Sequence, residues 1–203
     1  MSDETIDNKP PEGMRTVMFN NKAVGYVPHT GDPNENARLA KELLIEKGLW
    51  KEKSTIEAMY GQAVSFAHAS NYLYENDLRK KPRNPRGIAP FIVNASFSAE
   101  MYLKCLKTLY GEVPKETHTL TALFKQLPNK LKDKINKKKK QLEIQHEVKS
   151  GVLFKEHLKH INNAFINWRY IYEKESDYVN IPTTIFILHV LHEVTVEHIN
   201  IET

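Results

Sequence analysis

The chain is short of cysteine, of long apolar runs and, over its second half, of arginine, and each shortage excludes something. Cys105 is the one cysteine among 203 residues, so neither an internal disulfide nor a cysteine-built zinc site can form, and a reducing compartment is expected. Nothing approaches the roughly eighteen consecutive apolar residues of a membrane-spanning helix. The opening MSDETIDNKPPEG has neither the basic nor the apolar region of a secretory leader. These absences lead to the expectation of a cytoplasmic protein with no membrane partner. Gly-rich phosphate loops, nucleophile elbows and the HExxH pattern are also missing, so no cofactor and no metal are expected. His189 stands three and four residues before His192 and Glu193, with His198 further on, but without the zinc pattern they read as residues lining a helix face.

Arginine is the most informative shortage. After Arg86 the sole arginine is Arg169, although fifteen lysines stand from Lys104 to Lys174. This half of the chain uses lysine wherever any cation would serve, so position 169 reads as one that needs a guanidinium. Its planar fork holds a carboxylate or phosphate in two bonds while stacking on rings, which an ammonium cannot do.

What is present is mostly helical patterning. Residues 1–13 are polar, broken by Pro10-Pro11, and read as a disordered tail. Thr16 to Phe19 and Ala23 to Val27 flank Asn20-Asn21-Lys22 and predict a β-hairpin, because asparagine tolerates the positive φ of tight hairpin turns. Asp32-Pro33-Asn34-Glu35 opens a capped helix that stops at Gly48, completing an appendage over 14–53. Residues 54–203 form the main helical domain. It begins with a second capped helix at Ser54-Thr55-Ile56-Glu57, running to about Leu78 with Ile56, Met59, Ala63, Ala67 and Tyr74 inward. Further helices are predicted from Pro90 to Tyr110, Thr117 to Leu127, Asn129 to Val148, Val152 to Lys174 and Thr183 to His198. The fold class is therefore mainly α, an antiparallel helical bundle with a small N-terminal β-hairpin.

Two of these helices carry polar residues on faces otherwise built for burial. On the Pro90 helix, Phe91, Ala95, Phe97, Ala99, Leu103, Leu106 and Tyr110 make an apolar surface that Asn94, Glu100 and Lys104 interrupt, with Glu100 and Lys104 four apart and able to pair. On the later helix, Phe154, Leu158, Ile161, Phe165, Trp168 and Tyr172 recur at helical spacing, with Arg169 at the stripe's edge. In order, Asn94, Ala99, Glu100, Leu103 and Lys104, then Gly111, then His118-Thr119-Leu120 with Leu123, then Arg169-Tyr170 with Tyr172-Glu173, resemble the HEPN superfamily of small helical bundles, over roughly residues 54–198.

The resemblance implies a bundle of four or five helices, usually a homodimer, of the kind found in prokaryotic defence, toxin-antitoxin and RNA-processing systems. Catalytic members are metal-independent RNases with an arginine, four to six residues and then a histidine. Tyr170 to Asp177 contains no histidine, so the match is to the non-nucleolytic branch. The implied function is a non-catalytic module binding RNA or a cognate protein partner. The alternatives are a divergent endoribonuclease that draws its histidine from elsewhere, with His118 or His157 as candidates, and a purely structural interaction module.

The candidate polar cluster comprises Asn94, Glu100, Lys104, His118, Arg169, Tyr170, Tyr172 and Glu173. It is either a ligand or RNA-phosphate site, or an ion-pair network that fixes helix register. His118 is expected to cap or bond locally at its helix start. Candidate phosphate contacts are Arg79, Lys80, Lys81, Arg83 and Arg86 in the loop after the second helix, and the run Lys137, Lys138, Lys139 and Lys140. Either patch could equally be a solvated surface, since no aromatics interleave with the cations. Ile185, Phe186, Leu188, Leu191 and Val194 crowd more than one side of the last helix, which adds to the expectation of a dimer.

Overall fold

The computed structural model describes residues 9–112, 117–168 and 178–202. It is mainly helical with a small antiparallel hairpin, and it divides into two compact units between Lys53 and Ser54.

In the first unit, β1 (Met14–Phe19) and β2 (Lys22–Pro28) pair around Asn20 and Asn21, whose φ values of 48° and 62° are those a two-residue hairpin turn demands. A hairpin alone is marginal; here α1 (Pro33–Glu46) packs on β2. Gly25 allows that approach, because a Cβ there would stand 2.7 Å from Leu43 Cδ2. Asp32 caps α1 by accepting a hydrogen bond from the Asn34 amide at 2.8 Å, with Pro33 in the first turn.

In the second unit, α2 (Thr55–Leu73) starts in a full capping box between Ser54 and Glu57 and continues through a π-helical turn, Tyr74–Leu78. The central helix is α3 (Ile88–Leu109), with Phe91, Ala95, Ala99, Leu103 and Leu106 all buried. Hydrogen bonds from Ser70 Oγ to the Phe91 carbonyl and from Ser98 Oγ to the Ala63 carbonyl show that α2 and α3 run antiparallel. Then come α4 (Leu120–Gln126), α5 (Asn129–Leu142), α6 (Phe154–Leu158), α7 (Ala164–Asn167) and α8 (Ile181–Glu202). The Asn180 side chain accepts from the Thr183 amide at 2.9 Å near the start of α8. Tyr102 meets His192 and Tyr110 meets His198, so α3 and α8 run in the same direction. Contacts of Lys134 with His198 and of His146 with His189 set α5 antiparallel to α8. No helix among the described residues is long and apolar enough to cross a membrane.

Helix boundaries differ from the sequence expectation at several points, α8 among them, which spans Ile181–Glu202 rather than Thr183 to His198. The helix expected from Val152 is broken: α6 passes into a 3-10 turn, Lys159–Ile161, and α7 begins only after Asn162 and Asn163. Asn162 uses its side-chain oxygen to accept the Thr121 amide at 2.8 Å, and Asn163 leaves helical geometry at φ −119°, ψ 17°. Asparagine side chains compete for backbone partners in this way, which a periodicity of apolar residues does not register. The lysine-rich helix stops at Leu142 rather than Val148, passing into a 3-10 turn, and α4 begins at Leu120 rather than Thr117. The expected disordered tail lies outside the described residues over 1–8.

Candidate functional site

Glu100 lies at the centre of α3 with its side chain 2% exposed. Lys104, one turn on, reaches back to pair with it, Nζ to Oε1 at 2.7 Å, and His118 Nδ1 stands 3.1 Å from both carboxylate oxygens. Sequence spacing anticipated the first pair. His118 joins Glu100 as the expected cluster has it, and its bond spans 18 residues, which corrects the expectation of a purely local role at its helix start. Asn94 is a second correction, since its side chain donates to the Pro90 carbonyl of its own helix at 2.7 Å. Arg169, Tyr170, Tyr172 and Glu173 lie outside the described residues.

The α2–α3 loop is tied at its base, where Asn84 bonds Asp77 through both its amide, at 2.8 Å, and its side chain, at 2.9 Å. Gly87 packs on the same aspartate, with no room for a Cβ. Arg79 turns back to Glu75 and Lys80 to Asn76, while Lys81, Arg83 and Arg86 are exposed.

The lysine run on α5 is not one patch, because a helix spreads consecutive residues around its circumference. Lys137 and Lys140 are exposed. Lys138 pairs with Glu197 at 2.5 Å and lies 3.8 Å from Glu193, both on α8. Lys139 is buried, pairs with Glu143 at 2.7 Å and donates to the Val152 carbonyl. Lys138 and Lys139 thus hold the fold and do not offer a free cationic face.

A different set of lysines converges. Lys125 of α4, Lys132 of α5, Lys155 of α6 and Lys159 just after α6 line one groove of about 610 Å³ with Glu156 as its acidic member. Lys159 pairs with Glu156 at 2.6 Å. Phe124, with its ring 5.7 Å from that of Phe154, backs the groove. Sequence reasoning missed this set because its members are scattered over 35 positions. The only local signal was the four-residue spacing of Lys155 and Lys159.

Several histidines sit where burial disfavours their charged form. His192 bonds Tyr102, Nδ1 to the hydroxyl at 2.9 Å, and stacks on Tyr60 with centroids 6.2 Å apart. His146 bonds His189 at 3.0 Å, and His157 packs edge-on against Phe186. Burial holds all three below the ordinary value of 6.5, with His189 adding to the effect on His146 and Lys139 to that on His157. Burial likewise pushes the Cys105 thiol up to about 11, which makes it a poor nucleophile. Among the described residues no group of three or more histidine, cysteine, aspartate or glutamate side chains could hold a metal ion.

Folding stability should therefore depend on pH in a defined window. As pH falls below about 6.5, the unfolded chain takes up protons on these histidines before the folded chain does, so stability falls on acidification and is fully present above that value. Ordinary carboxylates titrate near 4 and lie below the window. Urea denaturation at pH 8, 6 and 5 is expected to show a declining midpoint, and a flat midpoint down to pH 5 would count against neutral burial of these rings. Comparison with models of known protein families, with curated proteins and with solved structures finds no match for this chain.

Proposed function

We propose that the protein is a non-catalytic, HEPN-like helical module that binds RNA through its phosphate backbone, acting in a prokaryotic defence, toxin-antitoxin or stress system. The HEPN assignment and the biological setting rest on the sequence resemblance. The observation that carries RNA binding is the groove in which Lys125, Lys132, Lys155 and Lys159 face one concavity. A concave cluster of ammonium groups attracts a polyanion without reading its sequence. The exposed cations Lys81, Arg83, Arg86, Lys137 and Lys140 remain candidates for supplementary contacts. The Glu100 cluster is read as structural, because its buried charge is matched by its neighbours.

The endoribonuclease alternative is less well supported. His157 is 2% exposed and so is not presented as the proton carrier that metal-independent cleavage needs, which leaves His118, held by Glu100 through Nδ1, as the better placed of the two. Chelator-resistant cleavage of RNA by a nuclease-free preparation would restore it. Homodimer formation stays in the proposal on the resemblance alone. Phe186, Leu191 and Val194 are covered within the protein's own fold, leaving Ile185 and Leu188 partly exposed. Light scattering across a concentration series tests it.

Fluorescence anisotropy with a labelled single-stranded RNA should give affinity that falls steeply with salt. Each neutralised single-strand phosphate contributes about 0.7 to the slope of log K against log salt, so four groove contacts account for roughly 2.8. A variant with all four lysines replaced by glutamine should fold as the parent does and lose most of that slope. An unchanged slope in the variant removes the groove from the proposal, and equal competition by polyglutamate would favour an acidic protein partner instead.

A further inference from the structure

Of the four ammonium groups in the lysine groove, Lys159 has an acidic partner in Glu156 at 2.6 Å, and that hydrogen bond holds the Glu156 carboxyl below the ordinary carboxylate value. Lys125, Lys132 and Lys155 form no ion pair among the described residues. Three cations, contributed by α4, α5 and α6, thus face one concavity with no partner of their own. Like charges gathered in this way repel one another, and a bound polyanion relieves the repulsion.

The lining shows which polyanion fits. Phe124, the one ring among the described residues that line the groove, is 6% exposed and packs toward Phe154, so it offers no face on which a base could stack. Thr121 is the single uncharged hydrogen-bonding side chain in that lining, and the one carboxylate that could accept from a ribose hydroxyl is already held by Lys159. What remains is ammonium, a compact charge whose three rotatable donors take a phosphate oxygen from any side. Size then separates an extended phosphate chain from a condensed one. At about 610 Å³ the groove falls within the roughly 300–1,000 Å³ of small-molecule sites. In a nucleic acid a ribose separates successive phosphates, so a space of this size meets few of them. In a phosphoanhydride chain a single bridging oxygen separates neighbouring phosphorus atoms, so several charged units fit opposite these ammonium groups.

We infer that the groove of Lys125, Lys132, Lys155 and Lys159 is a site for short inorganic polyphosphate, a linear phosphoanhydride chain carrying neither base nor ribose. The inference shares with the proposed function the reading of the groove as an anion site, but it does not require RNA to be a ligand. Glu156 limits the affinity of the site, since it offsets one of the four charges and occupies Lys159.

Isothermal titration calorimetry on the full chain, in magnesium-free buffer at physiological salt, compares tripolyphosphate with orthophosphate and with citrate, whose charges are carboxylates. Tripolyphosphate is expected to bind at least about tenfold more tightly than either. Lys132→Gln should weaken that binding about tenfold, the effect of losing one charge-assisted contact. Glu156→Gln, at a side chain 39% exposed, should instead tighten it about threefold, a gain that misfolding cannot imitate. Tripolyphosphate binding no tighter than orthophosphate or citrate overturns the site, and so does a Glu156→Gln variant whose affinity is unchanged or lower. RNA binding that depends on the four lysines while tripolyphosphate fails removes this inference alone. Tripolyphosphate binding as expected in a protein that binds no RNA supports it and removes the RNA reading alone.

Discussion

Lys104→Met is expected to lower the unfolding free energy by about 3–5 kcal/mol, the usual cost of removing one partner from a buried ion pair. Glu100 has nowhere to go: its side chain is 2% exposed and sits mid-helix on α3, with Ala99, Met101 and Leu103 buried around it. Without the ammonium at 2.7 Å, its remaining partner among the described residues is His118, whose side chain is 55% exposed. The converse change, Glu100→Leu, should cost much less, below about 1.5 kcal/mol. It deletes the buried charge itself, and Lys104, already 20% exposed, can extend its stem toward water. Urea denaturation followed by circular dichroism measures both. Equal losses from the two variants would contradict the assignment of Glu100 as the trapped charge. A Lys104→Met protein as stable as the parent but unable to bind RNA would make the cluster a ligand site instead.

Lys139→Ala is expected to be comparably damaging, at about 3–5 kcal/mol, while Lys137→Ala and Lys140→Ala stay within about 0.5 kcal/mol of the parent. All three belong to one run of four identical residues. Lys139 alone is interior, with a side chain 3% exposed, and it pairs with the Glu143 carboxylate, itself 12% exposed, and donates to the Val152 carbonyl. It thereby ties the end of α5 to the segment leading into α6, the helix that carries Lys155. Its loss should therefore appear as lowered denaturation midpoints rather than as a changed salt dependence of binding. A Lys139→Ala variant with normal stability and weakened RNA affinity would return the residue to the phosphate contacts.

These two expectations show where sequence reading stops. Glu100 and Lys104 were legible because their pairing is local: four residues on a helix place two side chains on one face whatever else the chain does. The same locality made the Asn20-Asn21 turn, the Asp32 cap and the Ser54–Glu57 box readable, since each is decided within a few residues. The Lys137–Lys140 run was equally visible, yet its members have three different fates, because exposure on a helix depends on which neighbours pack against it and not on composition. His118 illustrates the same limit. It stands just before α4, and only the docking of that segment against α3 brings its ring to Glu100.

By itself the sequence determined that the protein is mainly helical with an N-terminal hairpin, where most helices begin, and that Glu100 and Lys104 form a pair within an apolar face. Propensity, capping and periodicity are short-range, and short-range energies can be read along a chain. Only the tertiary structure decided that Lys125, Lys132, Lys155 and Lys159 share a groove, that His68, Asn71 and His192 border one cavity, and that the stripe from Phe154 is interrupted at Asn162 and Asn163. Each of these depends on which helix faces pack together and on which buried backbone groups then need a partner, and those requirements exist only once the chain is folded.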